Sequence, residues 1–326
     1  MYWAVAAGVM LLTVVLLCAF LVGLAIGGTS TCSVAAAKEV LVHRRGTTLY
    51  GFAIAVGAAG VATLALRWLL AGSIHLAQNV PISAPLVLGA MLIGIGALLN
   101  DACLLGTLAR IGRGELRFLA LPPGLALGYA VIDRRYPLGA DHPPVPLAAM
   151  PPLAAWASIL VFLHLLGWAW RWHRRSDRAG RPGASWRRIL MLAMGAFGAL
   201  LFALEPHWVY GDSIHAIVRR GGRLDMAADM RAAATALALL GGALTGALAA
   251  RAFVFRRPSL AGVARSVVGG AMMAIGGTLI PGGNDTLLLA AIPAGSAGGI
   301  LAYLIMIVTV LAGLWLVRRH RHRLAQ

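Results

Sequence analysis

Apolar stretches of about 20 residues recur along the whole chain, and this recurrence constrains the fold more than any other feature. A helix needs about 20 predominantly apolar residues to cross roughly 30 Å of hydrocarbon. Nine segments approach that length, at 3–27, 47–71, 84–99, 115–133, 146–170, 188–205, 229–251, 262–280 and 297–317. Backbone polar groups must be satisfied internally in lipid, so long apolar runs select helices. The predicted fold class is an all-α polytopic membrane protein with about nine transmembrane helices. Composition agrees, because only 12% of the 326 residues are charged and 60% are apolar, against about 25% charged in soluble chains. The first segment has no basic leader region and no clear small-residue cleavage site, so it reads as a span and not as a signal peptide.

An odd number of crossings puts the termini on opposite sides, and the basic residues test that count. Assigned by side, 21 of the 28 Lys and Arg residues fall with the C-terminus and 7 with the opposite side. Basic loops are retained inside. The expected location is a bacterial inner membrane, with the N-terminus periplasmic and the C-terminus cytoplasmic. The net charge of +17 is thereby explained by loops, and no nucleic-acid partner is expected. The run from Arg171 to Arg188, flanked by Trp residues, reads as a cytoplasmic anchoring loop. The three cysteines, Cys18, Cys32 and Cys103, are too few and too scattered for a disulfide framework or a zinc site.

Four short apolar stretches occupy places where hydrophilic loops belong, at 30–43, 102–111, 208–219 and 283–293. Backbone that enters a membrane without crossing survives where it is buried in protein or lines a cavity, so these segments read as half-helices; amphipathic surface helices are the alternative. The third and eighth spans also repeat one pattern. Gly89 and Gly96 in the first copy match Gly269 and Gly276 in the second, each pair seven residues apart on one helical face. An Asn-Asp pair follows each copy, Asn100-Asp101 and Asn284-Asp285. The order span, half-helix, span, span, half-helix, span therefore occurs twice around a single connecting span, which inverts the second unit. The expected organisation is a first membrane repeat at 1–135, a connecting span and basic loop at 136–185, and a second repeat at 186–326. Inverted repeats with half-helices meeting near the midplane mark transporters, although Gly-rich spans also resemble one another by composition alone.

Cys103 lies at the start of a half-helix, where unpaired backbone N–H groups and the positive dipole end favour an anion. Its reading as a substrate-facing thiol stands beside that of a small buried hydrophobe. Cys32 carries the same two readings, and Cys18 has only apolar neighbours. Asp101 and Asp285 precede short helices and suit N-caps; the sharper reading makes one of them a proton or cation site, because intramembrane carboxylates are costly. Asn284 is a polar substrate contact or a local turn residue. His164 reads as a packed interior histidine. No metal-ligand spacing, nucleotide loop or Ser/His/Asp arrangement is present, so no cofactor and no enzymatic activity are expected.

Three stretches resemble the YeeE/YedE family of sulfur-compound transporters. Gly94-Ile-Gly96 through Cys103 to Arg110-Ile-Gly112-Arg-Gly114-Glu-Leu116 is similar to the family's first-repeat pattern. Ala274-Ile-Gly276 through Gly282-Gly283-Asn284 to Ala294-Gly295-Ser296 is similar to the second-repeat pattern, and Thr31-Cys32-Ser33 to its early cysteine-bearing half-helix. The chain departs from the pattern at Gly283, where the family carries a cysteine, and at Ala102, where it carries a glycine. The resemblance implies a permease that moves a small sulfur-containing anion such as thiosulfate inward, between the half-helices at 102–111 and 283–293. The substrate pathway would involve Cys103, Cys32, Gly283, Asn284, Asp101 and Asp285, with a cytoplasmic TusA-type sulfurtransferase as a partner. The rival readings are a permease for a different small solute or ion, and a non-transporting scaffold that has lost the second-repeat cysteine.

Overall fold

The computed structural model describes residues 2–29, 31–69, 75, 79, 81–134, 151–176, 184–280 and 282–324. Its helices are α1 (Tyr2–Thr29), α2 (Ser33–His43), α3 (Thr47–Leu69), α4 (Ala84–Asn100), α5 (Leu104–Gly112), α6 (Leu121–Ile132), α7 (Pro152–Ser176), α8 (Ala184–Leu204), α9 (Tyr210–Arg219), α10 (Met226–Ala249), α11 (Leu260–Leu279), α12 (Asn284–Thr286) and α13 (Ala297–Leu324). A 3₁₀ turn at Leu116–Ala120 leads into α6, and a π-helical turn at Leu287–Ala291 continues α12. Among the described residues eight helices are long and apolar enough to cross a membrane, and the chain is a multi-pass membrane protein. The ninth expected span, at 115–133, is shorter, at Leu116–Ile132. Glu115 and Arg117 stand at its head and Pro122-Pro123 open its α-helical part. Parts of the expected span at 146–170 and of the basic run at 171–188 lie outside the described residues.

Local chemistry starts several spans in the expected places. Ser83 caps α4 and Ser259 caps α11, each side chain accepting from the backbone N–H three residues on. Asp225 does the same for α10. Apolar side chains such as Met10, Leu69, Leu160 and Val308 are exposed around the bundle, which suits a surface that meets lipid.

The repeat is visible in the packing. Helices α4 and α11 cross antiparallel, with Gly89 against Gly276 and Gly96 against Gly269. A Cβ at Gly96 would come within 2.6 Å of the Gly269 carbonyl oxygen, and one at Gly89 within 2.8 Å of that of Gly276. Only glycine permits such backbone approach, and close approach is what holds helices together where lipid removes the hydrophobic driving force. The other packing pairs come in twins. α1 packs on α10 as α8 packs on α3; α6 packs on α11 as α13 packs on α4; α2 packs on α13 as α9 packs on α6. These matching pairs make α2 the counterpart of α9 and α5 that of α12 and its π turn. Helix α7 packs on α3 outside this scheme. His164 on α7 is exposed, not packed inside as expected, because α7 is a peripheral helix with one buried edge.

Candidate functional site

The four predicted half-helices are α2, α5, α9 and α12 with its π turn. Each begins at a cap residue with extended backbone: Cys32 (φ −152°, ψ 127°), Cys103 (φ −79°, ψ −178°), Val209 (φ −74°, ψ 131°) and Gly283 (φ −87°, ψ −176°). All four caps are buried or nearly so, and they converge on the first turn of α5. The Tyr210 hydroxyl donates to the Leu104 carbonyl oxygen at 3.2 Å. A Cβ at Gly283 would lie 2.7 Å from Leu104 Cδ1, and one at Gly211 would lie 3.9 Å from it. Both half-helices of the second repeat thus reach the half-helix of the first.

Cys32 and Cys103 come together at this centre, their side chains lying side by side. The Gly106 N–H donates to Cys103 Sγ at 3.4 Å, and a Cβ at Gly106 would come within 2.6 Å of Cys32 Sγ. Ser33 and Tyr303 adjoin the pair and face each other. Asn284 is buried with its Oδ1 unpartnered. A buried acceptor without a partner is costly. Cys18 stays buried within α1, away from any helix terminus.

Two cavities approach the cysteine pair from opposite sides. One, of about 520 Å³, is lined by Leu104, Tyr129, Asp212, His215, Gly283 and Asp285 among others. The second, of about 360 Å³, opens toward the basic face and includes Thr29, Arg45, Thr48, Arg113 and Arg187. Neither cysteine lines either cavity. Burial pulls Arg113 below the usual arginine range, and its guanidinium donates to the Gly27 carbonyl at 3.4 Å.

The two aspartates depart from their expected cap roles. Cys103, not Asp101, caps α5, because α4 runs one residue further than its apolar pattern and Asp101 ends it in the left-handed conformation (φ 66°). From there its carboxylate pairs with Lys38 of α2, and lies 3.6 Å from both Arg110 and Arg117. Arg110 also bonds Glu115 at 2.7 Å. This ion cluster ties α2, α4, α5 and the 3₁₀ turn together at the basic face, outside both cavities. Asp285 is likewise no N-cap: Gly283 holds that position. Asp285 is fully buried at the wall of the larger cavity, and neither carboxyl oxygen completes a hydrogen bond.

Sequence reasoning missed Leu104, Ser33, Tyr129, Tyr210, Asp212 and Tyr303. The tyrosines carry no motif, and only the 208–219 half-helix assignment pointed toward Tyr210 and Asp212.

Short helices that start at a common buried centre among membrane-spanning helices are a feature of membrane transporters. Residues 28–315, nearly the whole chain, match the family model for sulphur transport. The chain therefore belongs to the YeeE/YedE family of sulfur-compound transporters. No curated protein matches it.

Proposed function

We propose that this protein is a permease that moves a small sulfur-containing anion, thiosulfate being the best fit, inward through the centre where the half-helices meet. The observation that carries the reading is the Cys32–Cys103 pair, set at two helix N-termini between two opposed cavities. Helix N-termini offer free N–H groups and a positive dipole end to an anion, and polarizable thiols suit a soft terminal sulfur. The chain acts as a non-enzymatic carrier, driven by a gradient or by consumption of the anion inside. On this reading the basic face is cytoplasmic in a bacterial inner membrane, the N-terminus is periplasmic, and the Arg-lined cavity is the exit. A TusA-type sulfurtransferase is the proposed acceptor at that face.

The test is uptake of radiolabelled thiosulfate by a transport-deficient strain carrying this chain. Loss of a hydrogen bond to an anion costs about 1.5–3 kcal/mol, so Cys103→Ala and Cys32→Ala should each reduce uptake by about 10- to 100-fold, while Cys18→Ala should not. Uptake unchanged by Cys103→Ala but abolished by Cys18→Ala sinks the site assignment. Absence of flux from the inserted wild-type protein favours another solute or a scaffold.

A further inference from the structure

The matching packing pairs make Gly283 the counterpart of Cys103, since they cap the equivalent half-helices α12 and α5. In the first repeat the cap's own side chain faces the centre. In the second repeat the cap has none, and a Cβ built on Gly283 would collide with Asp285 Oδ1. The Asp285 carboxyl leans back over its own first turn and occupies the space that a cap side chain would fill. The exchange replaces a thiol with an acid.

That acid is in an unusual setting. It is 0% exposed, lines the larger cavity, and has neither oxygen in a hydrogen bond among the described residues, although the Asp285 and Thr286 amides lie near. The groups that face it have been arranged without a neutralising cation beside it. From α9 come the Tyr210 hydroxyl and Asp212, and from α6 the Tyr129 hydroxyl. His215 is engaged by Asp133 at 2.9 Å and stacks on Tyr129. His75, His207 and Arg219 line the same cavity and are exposed. Burial pushes the Asp285 carboxyl up to about 6, and Asp212, raised by burial and by Asp285, is pushed up further.

We propose that Asp285 is a proton-binding site that couples proton entry to anion entry. The inference rests on the reading that an anion passes between the half-helices. An ionised Asp285 beside the centre repels that anion, whereas a protonated one removes the repulsion and donates an O–H. Anion and proton therefore favour each other's binding, and this linkage is reciprocal. The proton is taken up by the carboxylate from water in the larger cavity, crosses with the anion, and is released when the carboxyl ionises on the Arg-lined side. Each proton carried cancels one negative charge moved against an inside-negative potential.

The full chain in proteoliposomes tests this, with radiolabelled thiosulfate as the probe and the membrane potential clamped. One proton per anion makes a one-unit pH gradient, acid on the side of the larger cavity, raise steady-state accumulation about tenfold. Asp285→Asn keeps the shape of the protonated acid but carries no proton, and its accumulation should not respond to the gradient. A variant that retains the tenfold response overturns the proposal, as does a response lost in Asp212→Asn but kept in Asp285→Asn. If the wild type moves no thiosulfate, the substrate reading fails separately. Infrared spectra then read Asp285 directly: a carboxylic-acid carbonyl band that grows in on acidification through about pH 6 and is missing from Asp285→Asn supports the site, and identical spectra overturn it.

Discussion

Placing a cysteine at Gly283 tests whether the Asp285 carboxyl has taken over the second-repeat cap position. The backbone there is extended, with φ −87° and ψ −176°, so a side chain brings no conformational strain. The obstacle is space. The new Cβ would stand 2.7 Å from Leu104 Cδ1 and would overlap Asp285 Oδ1. Carbon atoms in contact prefer about 3.5–4.0 Å, so Leu104 must retreat by roughly 1 Å while the carboxyl is expelled from its slot. Overpacking of this kind costs about 1–3 kcal/mol, and Gly283→Cys alone should lower thermal stability in detergent accordingly. Asp285→Ala, which removes a buried acid lacking a partner, should cost little. Because it also clears one of the two collisions, the double variant should be more stable than the sum of the singles by about 1–2 kcal/mol, within the usual coupling range for residues in contact. Thermal unfolding of the four proteins, followed by tryptophan fluorescence, completes the cycle. If the effects add to within about 0.5 kcal/mol, the slot argument is refuted.

Asp101 should behave as a structural hub. Asp101→Ala removes the shared partner of Lys38, Arg110 and Arg117 and leaves alanine at φ 66°, whereas Asp101→Gly loses the same pairs without the backbone penalty; Asp101→Gly should melt higher, by about 1 kcal/mol in stability, and equal midpoints would show that the left-handed turn carries no strain. At the α4–α11 crossing, Gly96→Val should prevent stable insertion, while Gly241→Val, whose Cβ meets nothing closer than 4.0 Å, should be tolerated; equal yields of folded protein from both would remove the close-packing argument. The 21 to 7 division of basic residues predicts that a C-terminal fusion to a reporter active only in the periplasm stays inactive, and an active fusion reverses the proposed orientation.

The spans were legible because crossing lipid is a local requirement that each segment meets with its own side chains. The half-helices were legible for a related reason, as apolar runs too short to cross standing where loops belong, and the glycines at 89, 96, 269 and 276 announced the repeat. Cap roles were harder to read. Whether Asp101 opens α5 or closes α4 depends on one residue of helix length, and the cations that α2 and the 3₁₀ turn bring to it decide that. The place of His164 depended on what α7 meets, since periodicity shows that a helix has faces but not which face finds a neighbour. The meeting of Cys32 with Cys103, 71 positions apart, and the filling of the Gly283 slot by Asp285 arise only when the short helices close on one centre. Burial and unsatisfied hydrogen bonding there are properties of the assembled centre, because the groups that withhold or supply a partner come from helices remote in the chain.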